Sequence, residues 1–282
     1  MVGNRPWLNV LAHLTLVIGV ILVLFPMWVA FVASTHPRSA FFTGVMPIWP
    51  GGEFLANYAA VLGTGASGEG LPPVAPMMLN SLVMALAITF GKIAISLMSA
   101  FAIVYFRFPL RMLAFWLIFL TLMLPVEVRI VPTYQVIASL GMLNSYAGLT
   151  IPLIASATAT FLYRQLFLTI PDELAEAARV DGAGPWRFFR DILEPMSRTN
   201  TAALFVILFI YGWNQYLWPL LVTTDPDYYT VVMGIQRLAR AADADPFWNL
   251  VMATALLAMM PPVLVTILMQ RWFVKGLIES EK

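Results

Sequence analysis

Six carboxylates and four guanidinium groups crowd into residues 169–199, TIPDELAEAARVDGAGPWRFFRDILEPMSRT, of a chain in which only 11% of residues are charged. The acids are Asp172, Glu173, Glu176, Asp181, Asp191 and Glu194; the bases are Arg179, Arg187, Arg190 and Arg198. Such a stretch cannot lie in hydrocarbon, where unpaired charge is heavily penalised. It is either a docking surface offering ion pairs to a partner or a solvated loop between apolar segments.

Chemistry of other kinds is not written into the sequence. Cysteine is absent, which removes disulfides and thiolate metal ligands, and the two histidines, His13 and His36, are too few to build a metal site. Neither histidine is paired with a Ser or Cys nucleophile in a readable arrangement. A P-loop needs GxxxxGK followed by Ser or Thr so that backbone amides can cradle phosphates; the Gly91-Lys92 pair is followed by Ile93 inside an apolar run. The formal net charge of +1 gives no global field for nucleic acid. An enzyme is not expected, and energy for any transport must come from another chain.

Three polar outposts stand in apolar surroundings. A cation near the bilayer centre costs about 2.5–3.5 kcal/mol on insertion scales and faces a bundle interior, a partner or a pathway. Lys92 therefore either meets a translocated anion or is paired at a subunit contact. Glu127 and Arg129 are a gate pair or an interface feature. Asn214 and Gln215 must find hydrogen-bond partners across a helix interface or along a wet cavity.

The elements that hold these groups follow from hydropathy. With 60% of its residues hydrophobic, against about 45–50% in soluble domains, the chain is built for lipid. Apolar runs at 10–33, 80–105, 110–124, 145–170, 201–223 and 248–274 predict six spans, the last kinked at Pro261-Pro262. Between them, 34–78 reads as a Gly/Pro-rich outer loop with a short surface helix at 54–62, 126–143 as a bent or re-entrant segment, and 225–246 as an exterior loop. Of sixteen basic residues, eleven fall on the side of the charged stretch and both termini, four on the other, and Lys92 between; the positive-inside rule places that stretch in the cytoplasm.

Within 169–199 local signals predict a helix-turn-helix elbow spanning 171–197. Thr169 can cap the first helix, Pro171 suits its first turn, and Asp172 and Glu173 favour the positive end of the dipole. Gly182 stands where a left-handed C-terminal cap belongs, and Pro185 opens a second helix with Phe188, Phe189 and Ile192 along one face. Leu174 and Ala178 share a face, with Ala175 and Ala177 beside them, so a partner could approach the backbone closely.

Glu176-Ala177-Ala178, Asp181-Gly182-Ala183, Ile192 and Pro195 at their spacings resemble the cytoplasmic EAA loop of permease subunits in binding-protein-dependent ABC importers. Glu194 replaces the leucine usual before that proline, and Thr199 stands where a further proline is often found. The resemblance runs over nearly the whole chain. Asn4-Arg5-Pro6-Trp7, Arg107-Phe108-Pro109-Leu110-Arg111, Leu124-Pro125-Val126-Glu127-Val128-Arg129 and Tyr211-Gly212-Trp213-Asn214-Gln215-Tyr216 are similar to the second permease subunits of bacterial sn-glycerol-3-phosphate importers, within the group that takes up carbohydrates.

The resemblance implies an all-α polytopic membrane protein of the type I importer permease fold, in the bacterial inner membrane with both termini cytoplasmic. It implies four kinds of partner: a homologous second permease, two ATPase subunits, a periplasmic substrate-binding protein and the lipid bilayer. ATP and Mg would be used by the ATPase subunits, with no cofactor on this chain. Glu176, Ala177, Ala178, Asp181, Gly182, Ile192 and Pro195 would couple to the ATPase, while Lys92, Glu127, Arg129, Asn214 and Gln215 are pathway candidates. The implied cargo is sn-glycerol 3-phosphate, with a neutral sugar or oligosaccharide as the alternative. A secondary transporter would need coupling-ion carboxylates near the midplane, and no acid lies in the middle of a span.

Overall fold

The structure, a computed structural model, describes residues 6–42, 44, 46–63, 72–124, 126–244 and 247–279, without the side chains of 6, 122–123, 126–127, 241–244 and 273–279. The Gly-rich stretch at 64–71, Arg5, Pro125 and the last residues of the tail lie outside that description. No strand occurs among the described residues. In chain order the helices are α1 (Pro6–Ser34), α2 (Phe54–Gly63), α3 (Val74–Tyr105), α4 (Arg111–Met123), α5 (Val126–Ser139), α6 (Tyr146–Thr150), α7 (Ala157–Leu168), α8 (Asp172–Val180), α9 (Pro185–Phe188), α10 (Glu194–Trp213), α11 (Leu217–Val222), α12 (Val231–Ala244) and α13 (Trp248–Glu279).

Three of these, α1, α3 and α13, are long and apolar enough to cross a bilayer. The region expected as a fourth span is a broken one: Tyr146–Leu153 and Ala157–Leu168 pass the same test together but are bent by 47°. The range 110–124 holds the short α4. The range 201–223 is interrupted after Trp213, where Asn214 to Tyr216 separate α10 from α11. Pro261 and Pro262 lie inside an uninterrupted α13. The segment 126–143 is mostly the helix α5, with Pro132 inside it, and one loop expectation needs correction: 225–246 contains the 14-residue α12, whose amphipathic pattern was too polar to stand out in an apolar chain.

The chain divides into two compact units, Met1–Met77 with Gly234–Met260 and Met78–Met233 with Pro261–Lys282. In the first, α2 is more than a surface helix, because its Asn57 is buried and acts as a knot. Asn57 donates to the carbonyls of Ser34 and His36 (both 2.9 Å) and accepts from Asn249 (2.9 Å). Arg38 lies 3.9 Å from the centre of the Phe247 ring.

In the second unit α3 is the central post, with 44% of its apolar window buried against 11% for α1. Asn80 near its start donates to the carbonyls of Asp227 (2.7 Å) and Tyr229 (3.0 Å) and accepts from the Tyr146 hydroxyl (2.6 Å). Asn144, held at φ 51°, accepts from the amides of Thr224 (2.7 Å) and Asp225 (3.1 Å). Trp218 donates its indole N–H to the Gly148 carbonyl at 3.0 Å. These bonds satisfy backbone groups of the 224–229 connection and the Gly148 carbonyl, which an apolar environment requires.

α3 and α10 approach closely at Gly212, where an added Cβ would stand 2.9 Å from the Ala85 Cα. Only a residue without a side chain fits there. Gly212→Leu is therefore expected to destabilise the protein by about 1–3 kcal/mol, the usual cost of overpacking. Thermal unfolding of the detergent-solubilised protein measures this, and an unchanged midpoint would contradict the contact.

Candidate functional site

The charged elbow begins two residues later than Thr169 capping would have it. Thr169 closes α7, donating its hydroxyl to the Leu166 carbonyl at 2.7 Å, and Pro171 occupies the N-cap of α8. Its fixed φ suits that junction. Asp172 and Glu173 do fill the first turn of α8 and Arg179 its last, each at the end of the dipole that favours its charge.

α8 stops at a full Schellman cap. Gly182 has φ +72°, its amide bonds to the Arg179 carbonyl (3.0 Å), and the Ala183 amide reaches back to the Ala178 carbonyl (2.8 Å). Asp181 is the exposed C-cap. Pro185 then starts α9, and the chain widens through one π turn (Phe189–Leu193) before α10. Pro195 explains the widening: it has no N–H for the carbonyl four residues back, and its ring would clash there in a regular helix.

The underside of the elbow is core. Ala178, Phe188, Phe189 and Leu193 are buried together with Leu97, Ala100 and Phe101 of α3, Tyr163 and Phe167 of α7, and Leu204 and Leu208 of α10. Ring centres of Phe101 and Phe189 lie 5.0 Å apart, and those of Tyr105 and Phe188 lie 5.1 Å apart. Ile192 is half-buried against the same cluster. Each such aromatic pair contributes about 0.5–1.5 kcal/mol beyond its area. The elbow is thus wedged into three helices at once.

Its outer side divides by charge. Asp191 pairs with Arg190 (2.7 Å) and Arg187 (3.5 Å), and Glu194 with Arg198 (3.1 Å). The hydrogen bond from Arg190, then the attraction of Arg190 and Arg187, holds the exposed Asp191 carboxyl below the usual range. By contrast, among the described residues no α8 carboxylate is in an ion pair. Glu173, Glu176, Ala177 and Val180 form its outward stripe at helical spacing.

Ala178, expected on the partner-facing side, points inward with Ala175, because residues three apart share a face and Phe188 occupies that one. Ala177 is the outward member of the pair. Together Ala175, Ala178 and Ala183 leave a cavity of about 250 Å³ beside Phe101, Tyr105 and Phe188, with Arg107 and Arg179 also in its wall. Two large apolar residues that sequence reasoning passed over are exposed here, Val180 (87%) and Trp186 (60%). For Val180, its position off the Leu174/Ala178 face of α8 was the available signal.

The second group of candidates converges in part. Lys92 on α3 is 7% exposed, and its Nζ stands 3.7 Å from the centre of the Tyr211 ring on α10. A desolvated cation–π contact is worth about 2 kcal/mol or more. Arg129 on α5 is exposed yet within Coulombic reach of both Lys92 and Tyr211. Gln215 is half-buried and donates to the Tyr211 carbonyl at 3.0 Å. Asn214 is the exposed C-cap of α10, and Glu127 lies in the first turn of α5 with its side chain outside the description. Tyr211 was not singled out beforehand, since a tyrosine in an apolar helix carries no pattern of its own.

Residues 92–279 match the family described as binding-protein-dependent transport system inner membrane component. The chain is 58% identical to the sn-glycerol-3-phosphate transport system permease protein UgpE of Agrobacterium fabrum and 57% identical to that of Escherichia coli O157:H7, over all of both chains in each case. A bacterial ABC transporter involved in the import of the acidic polysaccharide alginate shares the fold at 18% identity, with a TM-score of 0.80, covering 97% of this chain and 99% of that one.

The cap makes a specific demand. A β-branched side chain in the left-handed region costs about 1–2 kcal/mol, while asparagine tolerates it. Gly182→Val should therefore raise amide exchange in α8 by about tenfold, and Gly182→Asn far less. Equal exchange in both variants would show that the cap does not hold α8.

Proposed function

The chain belongs to the family of binding-protein-dependent transport system inner membrane components, and we propose that it forms half of the pathway by which a bacterial ABC importer takes up sn-glycerol 3-phosphate. It is a transmembrane permease subunit. The remaining half of the pathway is a homologous second permease. Two ATPase subunits bind and hydrolyse ATP with Mg, a periplasmic protein delivers the cargo, and this chain binds no cofactor and catalyses no reaction. It sits in the inner membrane with both termini and the elbow in the cytoplasm.

The observation that carries this reading is the elbow, a capped helix whose acidic outer stripe has no ion pair among the described residues and whose aromatic underside is wedged among α3, α7 and α10. Closure of the ATPase dimer pushes on α8. The wedge transmits that push without local deformation, because close-packed interiors yield little, and the three helices rock as a body so that the pathway opens outward. ATP hydrolysis returns it inward.

Glu176 anchors the ATPase electrostatically, Ala177 lets its surface approach the backbone, and Ala178 keeps α8 close to its own bundle. Asp181 and Gly182 set the sharp turn, and Ile192 and Pro195 set the angle at which α10 leaves. Lys92, Arg129, Asn214 and Gln215, with Glu127 near the start of α5, line or border the pathway. A phosphate ester suits a site with two cations within reach of each other.

Reconstituted with its partners in proteoliposomes, the complex is expected to accumulate sn-glycerol 3-phosphate in an ATP-dependent way. Import of a neutral oligosaccharide with no phosphoester uptake would overturn the substrate. Glu176→Lys should leave the protein inserted but lower uptake by about tenfold or more, since it reverses a charge at the docking face. Parental uptake by that variant would overturn the elbow's role.

A further inference from the structure

A buried ammonium in an apolar segment is ordinarily held by a carboxylate or a carbonyl. Lys92 is held by neither among the described residues; its partner there is the face of Tyr211. The difference is functional. A carboxylate would cancel the charge, and an arriving anion would have to compete with it. An aromatic face attracts the cation through its quadrupole and leaves the net charge in place.

Arg129 adds a second positive charge within reach of Lys92 and Tyr211. The two like charges repel each other, and an anion received between them turns that repulsion into attraction. Gln215 secures the end of the helix carrying Tyr211 by its bond to the Tyr211 carbonyl, and the adjoining Gly212 brings that helix against Ala85 of α3. The ring is thereby fixed relative to the helix that carries the lysine.

We propose that Lys92, sheathed by Tyr211 and joined by Arg129, is a displaceable cation seat that receives the phosphate of the transported ester, with Tyr211 as the positioning residue that keeps the ammonium charged and uncommitted between turnovers. This rests on the reading of the chain as a phosphoester permease. α3 and α10 are also the helices gripped by the elbow, through Phe101 and Tyr105 on one and Leu204 and Leu208 on the other. The seat therefore moves with the body of helices that the elbow rocks.

The test uses the complete importer in proteoliposomes, measuring uptake of labelled sn-glycerol 3-phosphate and ATP hydrolysis together, with co-purification of the partners as the assembly control. Methionine matches the lysine stem in volume and is the easier residue to bury, whereas arginine keeps the charge. A packing role therefore favours Lys92→Met over Lys92→Arg, and the seat demands the reverse. Lys92→Met is expected to lower uptake by about tenfold or more with stimulated ATP hydrolysis retained, and Lys92→Arg to stay within about threefold of the parent. Tyr211→Phe keeps the ring face and should transport nearly as the parent does, while Tyr211→Leu should fall by about three- to tenfold.

Parental uptake by Lys92→Met, or Met outperforming Arg, would overturn the proposal. Should Lys92→Met fail to assemble, Tyr211→Leu decides, since it leaves the lysine in place: reduced uptake supports the seat and undiminished uptake sinks it. A parent complex that imports no phosphoester would remove the function reading and the seat together. A parent that does import, alongside an indifferent Lys92→Met, would remove the seat alone.

Discussion

Phe101 against Phe189 and Tyr105 against Phe188 are the contacts on which the rest of the second unit turns. Residues 169–199 are too charged for lipid and too aromatic on one side for water, and only a position at the rim of an apolar bundle satisfies both. Burying Phe188, Phe189 and Leu193 under α3, α7 and α10 turns the charged side outward without further instruction. The surface ion pairs of Asp191 and Glu194 contribute little to that arrangement, because exposed pairs are worth at most about 1 kcal/mol. Apolar burial fixes the elbow, and charge decides what it meets.

The same two helices connect the elbow to the second site. Tyr105 and Lys92 share α3, about 20 Å apart along its axis at 1.5 Å per residue. Leu204 and Tyr211 share α10 in the same way. A push on α8 thus reaches the lysine and its aromatic partner through continuous helix rather than through loops. Gly212 and Gly91 permit the close approaches along this path, against Ala85 and Ile154. Small residues at helix contacts are what membrane bundles use where no hydrophobic force draws helices together.

Much of the elbow was legible because its signals are local. Gly182 and Pro185 act through their own backbone limits, and the structure finds them where those limits predict. Thr169 misled because a threonine can serve a helix that ends as readily as one that begins. Ala178 misled because facing is decided by what lies opposite, and Phe188 is ten residues away. The broken helices at 154–156 and 214–216 were hidden for a related reason: hydropathy averages over a window and cannot see a bend whose backbone groups find distant partners, as the Ser156 carbonyl does in the Ser96 hydroxyl. The contact between Lys92 and Tyr211 joins residues over a hundred positions apart, so only the folded chain could reveal it.

The central claim is that α8 presents its outer stripe to an ATPase in the cytoplasm. The chain has no cysteine, so a single Val180→Cys, at a position 87% exposed, gives an unambiguous label site. A membrane-impermeant maleimide should react with it in inverted vesicles but not in intact spheroplasts, and binding of the ATPase subunits should shield it. Labelling from the outer face, or labelling that the ATPase leaves unchanged, would contradict the account.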